Sequence, residues 1–211
     1  MKELLYKEFR LAKHPTMFFF PLFALMLLIP SYPYYIAFIY TGLEVFFIFQ
    51  NGMLNKDTLF TVMLPVRKTD VVRARCLMIA IIELFQVLLS VPMAVLRANL
   101  NIPANGAGIE ANVAFFGLVL VMFALYNILF IPTFYKTACT PGRALILAGI
   151  SMFVFIAAAE SCAFLFPAID TVEKSAQIRQ IPILLAGMAI YAVSMLASCR
   201  MGAKRFEAVD L

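Results

Sequence analysis

The sequence has very little charge for its length. Only 14% of its 211 residues are Asp, Glu, Lys or Arg, whereas 64% are hydrophobic. A soluble domain carries about a quarter charged residues, because polar groups must cover its surface. This chain lacks the residues for such a surface, so a soluble fold is excluded and lipid is expected to cover most of it.

Motifs of several enzyme classes are also missing. His14 is the only histidine and there is no H-E-x-x-H, which excludes zinc proteases and hydrolases that need a histidine base within a membrane span. The sequence has no G-x-x-x-x-G-K-[ST] loop for ATP and no G-x-S-x-G. We therefore predict that this chain is not an enzyme and binds no cofactor itself.

The cysteines are few and scattered. No C-x-x-C and no paired histidine accompanies them, so neither a disulfide framework nor a metal site is expected. The four positions are Cys76, Cys139, Cys162 and Cys199.

Long apolar runs predict a polytopic all-α membrane protein with six spans. The first run, 16–50, contains one charge, Glu44, and is far longer than the roughly 20 residues that cross a bilayer. The sequence PSYP at 30–33 predicts a turn that divides this run in two. No repeat or linker separates domains, so residues 1–211 form a single membrane domain. The predicted spans are about 14–30, 33–54, 76–96, 112–135, 143–167 and 180–200.

The basic residues predict the orientation. If both termini are cytoplasmic, 14 of the 17 Lys and Arg residues lie on the inner side. One long span over 16–50 would give only 10 against 7. Because loops rich in Lys and Arg stay in the cytoplasm, six spans in a cytoplasmic membrane are favoured. The basic patches are short and lie between apolar runs, which points to lipid rather than nucleic acid as their partner.

The N-terminal segment predicts an amphipathic elbow helix that lies in the headgroup plane and leads into the first span. A simple topogenic leader is the alternative. Glu8 is the one charged residue among the apolar ones. The apolar side carries Leu4, Leu5, Phe9, Leu11 and Ala12, and the polar side Lys2, Glu3, Lys7, Arg10 and Lys13.

The inner loop between the second and third predicted spans predicts a second short helix. Asn55 or Asp57 can cap a helix over 58–64, and Pro65 ends it. A new start signal at 69–70 opens the third span. Exposed apolar side chains beside charges indicate a docking surface, and a helix lying in lipid headgroups is the alternative. These side chains are Leu59, Phe60, Val62, Met63 and Leu64.

Glu44, Glu83 and Glu160 fall within predicted spans. A charge at mid-membrane costs about 2.5–3.5 kcal/mol on insertion scales, so each must be protonated, paired or facing a polar path. Glu44 is the deepest and the best candidate for a transport path. The alternative is a protonated carboxyl bonded to a neighbour such as Asn127, and snorkelling Arg75 can reach Glu83. Because of these carboxyls, a proton-coupled carrier remains an alternative function.

The inner loop resembles the permease subunits of type-2 ATP-binding-cassette (ABC-2) exporters. The stretches that carry the likeness are KDTLF at 56–60, MLPVRK at 63–68 and DVVRAR at 70–75. They resemble the family's acidic-Thr-Leu run, its Leu-Pro-Val-Ser-Arg-like turn and its basic entry into the third span. LYKEFR at 5–10 resembles its elbow helix, and KRFEAVDL at 204–211 its charged tail. Lys-Thr replaces the more usual Ser-Arg in the turn.

The resemblance implies a division of labour. Two permease chains, identical or related, form the membrane path, and a separate ATPase subunit binds ATP and Mg. The segment 55–65 is then the cytoplasmic coupling helix. The substrate stays open among peptide, lipid, drug and polysaccharide. An ATPase-independent membrane protein, either a proton-coupled carrier or an immunity or binding protein, is the alternative. The implied ATPase contacts are Asp57, Thr58, Leu59, Phe60, Met63, Leu64, Pro65 and Arg67.

Overall fold

The computed structural model describes residues 2–12, 15–63, 65–100, 102–137, 140–166, 169–171 and 174–208. Within these ranges every extended regular element is a helix. A π-helical turn, Glu8–Ala12, follows the first helix, and two 3₁₀ segments, Pro15–Phe18 and Phe20–Leu28, precede the second. The α-helices are α1 Lys2–Lys7, α2 Tyr35–Leu54, α3 Asp57–Val62, α4 Lys68–Asn99, α5 Val113–Lys136, α6 Pro141–Leu165 and α7 Lys174–Glu207.

Five of the helices, α2 and α4–α7, are long and apolar enough to cross a membrane. The shortest, α2, has 20 residues, which reach about 30 Å and match the hydrocarbon core of a bilayer. The architecture is therefore that of a multi-pass membrane protein, as the sequence predicts.

The helix ends gather on two opposite faces. At one face, the end of α2 meets the start of α4, where a Cβ added to Gly52 would lie 3.0 Å from Arg75 Nη1. The end of α7 joins them there through Phe206, which packs on Tyr135 of α5. At the other face, Arg97 near the end of α4 pairs with Glu110 just before α5. We call these the inner and outer faces, after the predicted orientation.

The first predicted span, 14–30, is not an α-helix in the structure. Residues 15–28 adopt mainly 3₁₀ geometry, and the second segment alone has 9 residues, or about 18 Å at the 3₁₀ rise. Met17 packs against a cluster around Met78, and the turn that follows brings Tyr34 to Arg97 at the outer face. The segment thus runs from the inner towards the outer face. That the chain crosses the membrane six times remains a prediction. The direction of this segment supports it.

The tightest helix contact joins α5 to α7. A Cβ added to Gly117 would lie 2.7 Å from the carbonyl oxygen of Ile183, and a Cβ on Gly187 would overlap the carbonyl of Gly117. Small residues of this kind let the backbones of two membrane helices approach closely. Aromatic side chains fill the other side of α5, where Phe49 of α2 meets Phe130 edge-on at 5.1 Å.

We expect Gly187→Ala to destabilise the protein, because its methyl group overlaps the backbone of α5; overpacking of this kind costs about 1–3 kcal/mol. Gly149→Ala is the matched control, since nothing lies within 4 Å of its added Cβ. Thermal unfolding in detergent measures both. Equal melting temperatures for the two variants would contradict the close packing of α5 on α7.

Candidate functional site

The predicted helix in the inner loop is present as α3, which ends two residues earlier than expected. Lys56, just before it, has a φ of 51°. This left-handed conformation costs a non-glycine residue roughly 1–2 kcal/mol, and it turns the chain sharply at the end of α2. As a result α3 folds back against α2 at the inner face.

Part of α3 and the turn after it faces outward. Phe60 is 58% exposed and Met63 is 84% exposed, and Pro65 and Arg67 are exposed beside them. We call these four residues the α3 surface. Large apolar side chains in this position need either lipid or a protein partner to cover them. The structure does not describe the other predicted contacts here, namely the side chains of Thr58 and Leu59 and the whole of Leu64.

Asp57 behaves differently from the other predicted contacts, because its side chain is buried. Its carboxylate pairs with Nη2 of Arg75 at 2.6 Å and with Nζ of Lys7 at 2.8 Å. Arg75 Nε also pairs with Glu8, whose other carboxylate oxygen lies 3.0 Å from the Lys7 ammonium. These four residues, the inner ion cluster, contain two positive and two negative charges.

Several contacts compensate for burying these charges. The Lys7 ammonium donates a hydrogen bond to Thr61 at 2.7 Å, and the Thr61 hydroxyl donates to the carbonyl of Asp57. The Arg75 guanidinium lies 5.3 Å above the Phe49 ring, a favourable cation–π arrangement. Buried ions are tolerated only when they are paired and hydrogen-bonded in this way, and removing one partner leaves a charge that costs about 3–5 kcal/mol.

The inner ion cluster joins three elements that are distant in sequence. Lys7 and Glu8 belong to the N-terminal helix and its π turn, Asp57 begins α3, and Arg75 lies two turns into α4. Because each cation contacts both anions, α3 cannot move without straining its links to the N-terminal helix and to α4. The arrangement can therefore transmit a displacement of α3 into a membrane-spanning helix.

Sequence reasoning missed this cluster. It placed Glu8 as the one charged residue on an apolar helix face and considered Arg75 only as a snorkelling side chain that can reach Glu83. In the structure Arg75 turns to Glu8 and Asp57 instead. The signal that was available is a single acid on an otherwise apolar helix face, which requires a buried cation elsewhere in the chain.

The three glutamates within the membrane helices have different surroundings. Glu83 is buried and accepts hydrogen bonds from Asn127 at 2.8 Å and from the Tyr191 hydroxyl at 2.7 Å, so it joins α4 to α5 and α7. Glu44 is also buried, and its Oε1 has no partner among the described residues. Glu160 accepts the backbone N–H of Ile109 at 3.1 Å, near the outer face.

These surroundings bear on the predicted roles. The predicted hydrogen bond between Asn127 and a buried carboxyl is present, and the carboxyl is that of Glu83. Glu44 and Glu83 do not face an open path in this conformation, because both side chains are buried, so a path role stays a prediction. Among the residues that the structure describes, no group of three His, Cys, Asp or Glu side chains is placed to hold a metal ion.

A further acidic residue, Asp170, lies at the outer face. Its carboxylate accepts the backbone N–H of Glu110 at 2.7 Å. Burial raises the pKa of Asp170; the hydrogen bond opposes this rise and the negative charge of Glu110 adds to it. Folding thus favours the protonated carboxyl. This stabilising contribution is full below the unfolded pKa of about 3.9 and is lost as pH rises through the folded value.

We therefore expect Asp170→Asn to raise the melting temperature at pH 7, because Asn keeps an oxygen for the Glu110 N–H and removes the charge. At pH 4 the difference from the unsubstituted protein should shrink, since a larger fraction of Asp170 is then protonated. Thermal unfolding in detergent at the two pH values measures this. A difference that stays constant across the pH range would contradict the pKa assignment.

Arg75→Met should destabilise the protein by about 3–5 kcal/mol, because two carboxylates then share one ammonium. Combining it with Glu8→Gln restores neutrality, so the loss in the double variant should be clearly smaller than the sum of the two single losses. Arg73→Met is the control: its side chain is 62% exposed, and we expect a change within about 1 kcal/mol. Additive losses for Arg75 and Glu8 would refute the cluster.

Comparison with known proteins places the chain in a family. A family model described as "ABC-2 family transporter protein" matches residues 3–202. This range contains the inner ion cluster, the α3 surface, all of α2 and α4–α6, and most of α1 and α7. Neither the curated proteins nor the solved structures gave a match. Because the family match covers nearly the whole chain, and the helices are those of a multi-pass membrane protein, this chain belongs to the ABC-2 family of transporter proteins.

Proposed function

We propose that this chain is the transmembrane permease subunit of an ATP-binding-cassette exporter, and that its α3 surface binds a separate ATPase subunit that hydrolyses ATP with Mg. The observation that carries the proposal is the combination of an exposed apolar α3 surface with a buried ion cluster directly behind it. Permeases of this family normally work with an ATPase partner.

The ion cluster favours a protein partner over lipid headgroups. A helix that simply lies in the headgroup layer needs an apolar face and a polar face. It does not need a buried ion pair to fix it against a membrane helix, as Asp57 and Arg75 fix α3 against α4. Burying this ion pair costs desolvation free energy. The pair is useful where a force applied to α3 must reach the membrane.

In this proposal, transport is driven by a rigid-body switch. When the ATPase closes on ATP, it displaces α3, and the Asp57–Arg75 pair carries the displacement into α4. Lys7 and Glu8 carry it into the N-terminal helix. The ATPase thus does not need to enter the membrane to change the arrangement of the membrane helices.

A second permease chain completes the proposed transporter. Most of α6 is exposed, including Ile146, Ile150 and Phe153, and these apolar side chains need lipid or a protein partner to cover them. A homodimer or heterodimer in the cytoplasmic membrane, with both termini in the cytoplasm, provides a path between the two chains. The proposed direction is outward.

A proton-coupled carrier is the second candidate function. The observation that favours it is Glu44, whose buried Oε1 lacks a partner among the described residues. Acidic side chains inside membrane spans form the proton relays of pumps and transporters. This candidate requires no ATPase, so the experiment below separates the two functions.

We expect an ATPase subunit to co-purify in near-stoichiometric amount when the tagged chain is extracted mildly from native membranes. Phe60→Ala with Met63→Ala should reduce the bound ATPase at least about tenfold, since two exposed anchors of an interface typically contribute more than about 1.4 kcal/mol together. The reduction should occur without loss of membrane insertion.

Phe164→Ala is the matched control, because Phe164 is 89% exposed on α6 near the opposite face. It should leave the ATPase bound. If the Phe60→Ala, Met63→Ala variant bound as much ATPase as the unsubstituted chain, the assignment of the α3 surface as the docking site would be wrong. If the chain were intact and monodisperse but no ATPase co-purified, the exporter function would be excluded and the proton-coupled carrier would remain.

A further inference from the structure

The outer loop, residues 102–112, packs into the outer end of the helix bundle. Ile109 is only 2% exposed and belongs to the same buried cluster as Tyr34, Tyr35 and Phe115. A Cβ added to Gly106, in the same loop, would contact Ser31 at 3.6 Å. A surface loop that only connected α4 to α5 would not bury an isoleucine among aromatic rings. We call residues 102–112 the outer plug.

Three other elements fasten the outer plug through polar contacts. Glu160 of α6 accepts the N–H of Ile109 at 3.1 Å, and Asp170 accepts the N–H of Glu110 at 2.7 Å. On the side of α4, Arg97 donates to the carbonyl of Pro103 at 2.5 Å and its Nε lies 3.3 Å from the Glu110 carboxylate. The plug is therefore tied to α4, to α6 and to the segment before α7.

Arg97 is the strongest of these fasteners. It is 5% exposed, it holds two points of the plug, and its guanidinium lies 5.3 Å from the ring of Tyr34. Its Nη1 has no partner among the described residues. Arg97 contacts two points of the plug, whereas Glu160 and Asp170 each accept one backbone N–H, so losing Arg97 removes more of the plug's attachment than losing either carboxyl group.

The same helix carries both buried arginines that face the loops. Arg75 and Arg97 are 22 residues apart on α4, about 33 Å at the helical rise, close to the thickness of a bilayer core. Arg75 holds Asp57 at the inner face, and Arg97 holds Glu110 at the outer face. One helix thus links the inner ion cluster to the plug.

The outer part of α4 contains a weak point. Pro92 lies inside the helix, and Ser90 donates its hydroxyl to the carbonyl of Gln86 at 2.8 Å. A proline removes one backbone hydrogen bond, and a serine that bonds back to the preceding turn promotes bending. The last turns of α4, which carry Arg97, can therefore swing relative to the rest of the helix.

We propose that residues 102–112 are a plug that closes the outer end of the bundle, and that Arg97 holds it closed until α4 moves. The cause of that movement, ATP binding by a partner acting through α3, rests on the proposed function. The closure itself does not, because it depends only on contacts within this chain.

The test is the accessibility of Ile109→Cys to a membrane-impermeant maleimide in native membranes, in a chain whose four cysteines are replaced by serine. Ala104→Cys, at an exposed position of the same loop, is the matched control. We expect Arg97→Gln to raise the labelling rate of the Ile109→Cys variant about tenfold, as the loss of charge-assisted hydrogen bonds implies. The Ala104→Cys variant should be labelled rapidly with or without Arg97.

Glu110→Gln weakens the same attachment from the plug side, and it should also raise labelling if Arg97→Gln fails to insert. Unchanged labelling of the Ile109→Cys variant in both backgrounds would overturn the plug. In a complex with the ATPase, a non-hydrolysable ATP analogue should raise labelling with Arg97 intact, and no rise would overturn the link through α4. If no ATPase co-purifies, the proposed function fails, while the comparison of labelling with and without the Arg97→Gln substitution still decides the closure.

Discussion

A buried arginine in a membrane helix constrains the inner half of this structure. Arg75 loses its water when α4 packs, and several kcal/mol per ion must be offset by neighbouring charge. Two carboxylates do this, Glu8 from the N-terminal segment and Asp57 from α3. Lys7 then balances the second carboxylate. The positions of the N-terminal helix and of α3 thus follow from the requirement to neutralise one guanidinium.

The outer half repeats this solution with different partners. Arg97 is also buried and is neutralised by Glu110 from the loop before α5. With one guanidinium fixed at each end, α4 cannot slide along the membrane normal without separating a buried ion pair. It can tilt or bend, and Pro92 is placed where bending is easiest. The two arginines therefore oppose sliding of this helix along its axis but leave it free to tilt or bend.

Composition and apolar runs were enough to predict the class of the fold and the existence of α2 and α4–α7. The start of α4 at Lys68 agrees with the start signal predicted at 69–70. Hydropathy marks only the part of a helix inside lipid, so the predicted span 180–200 is shorter than α7, Lys174–Glu207. The 3₁₀ form of residues 15–28 leaves no mark on hydropathy. The pairing of Glu8 with Arg75 depends on tertiary packing. The sequence pattern of a single helix gives no information about such packing. The exposure of Phe60 and Met63 could be predicted, since it follows from local amphipathicity.

The glycine contact between α5 and α7 has a mechanical consequence. Backbones that meet without intervening side chains have no room to rotate past one another, so α5 and α7 behave as one rigid body. Glu83 of α4 is hydrogen-bonded to both helices near mid-depth, through Asn127 and Tyr191. The α5–α7 pair is thus a rigid unit, and any tilt of α4 relative to it strains the two hydrogen bonds of Glu83.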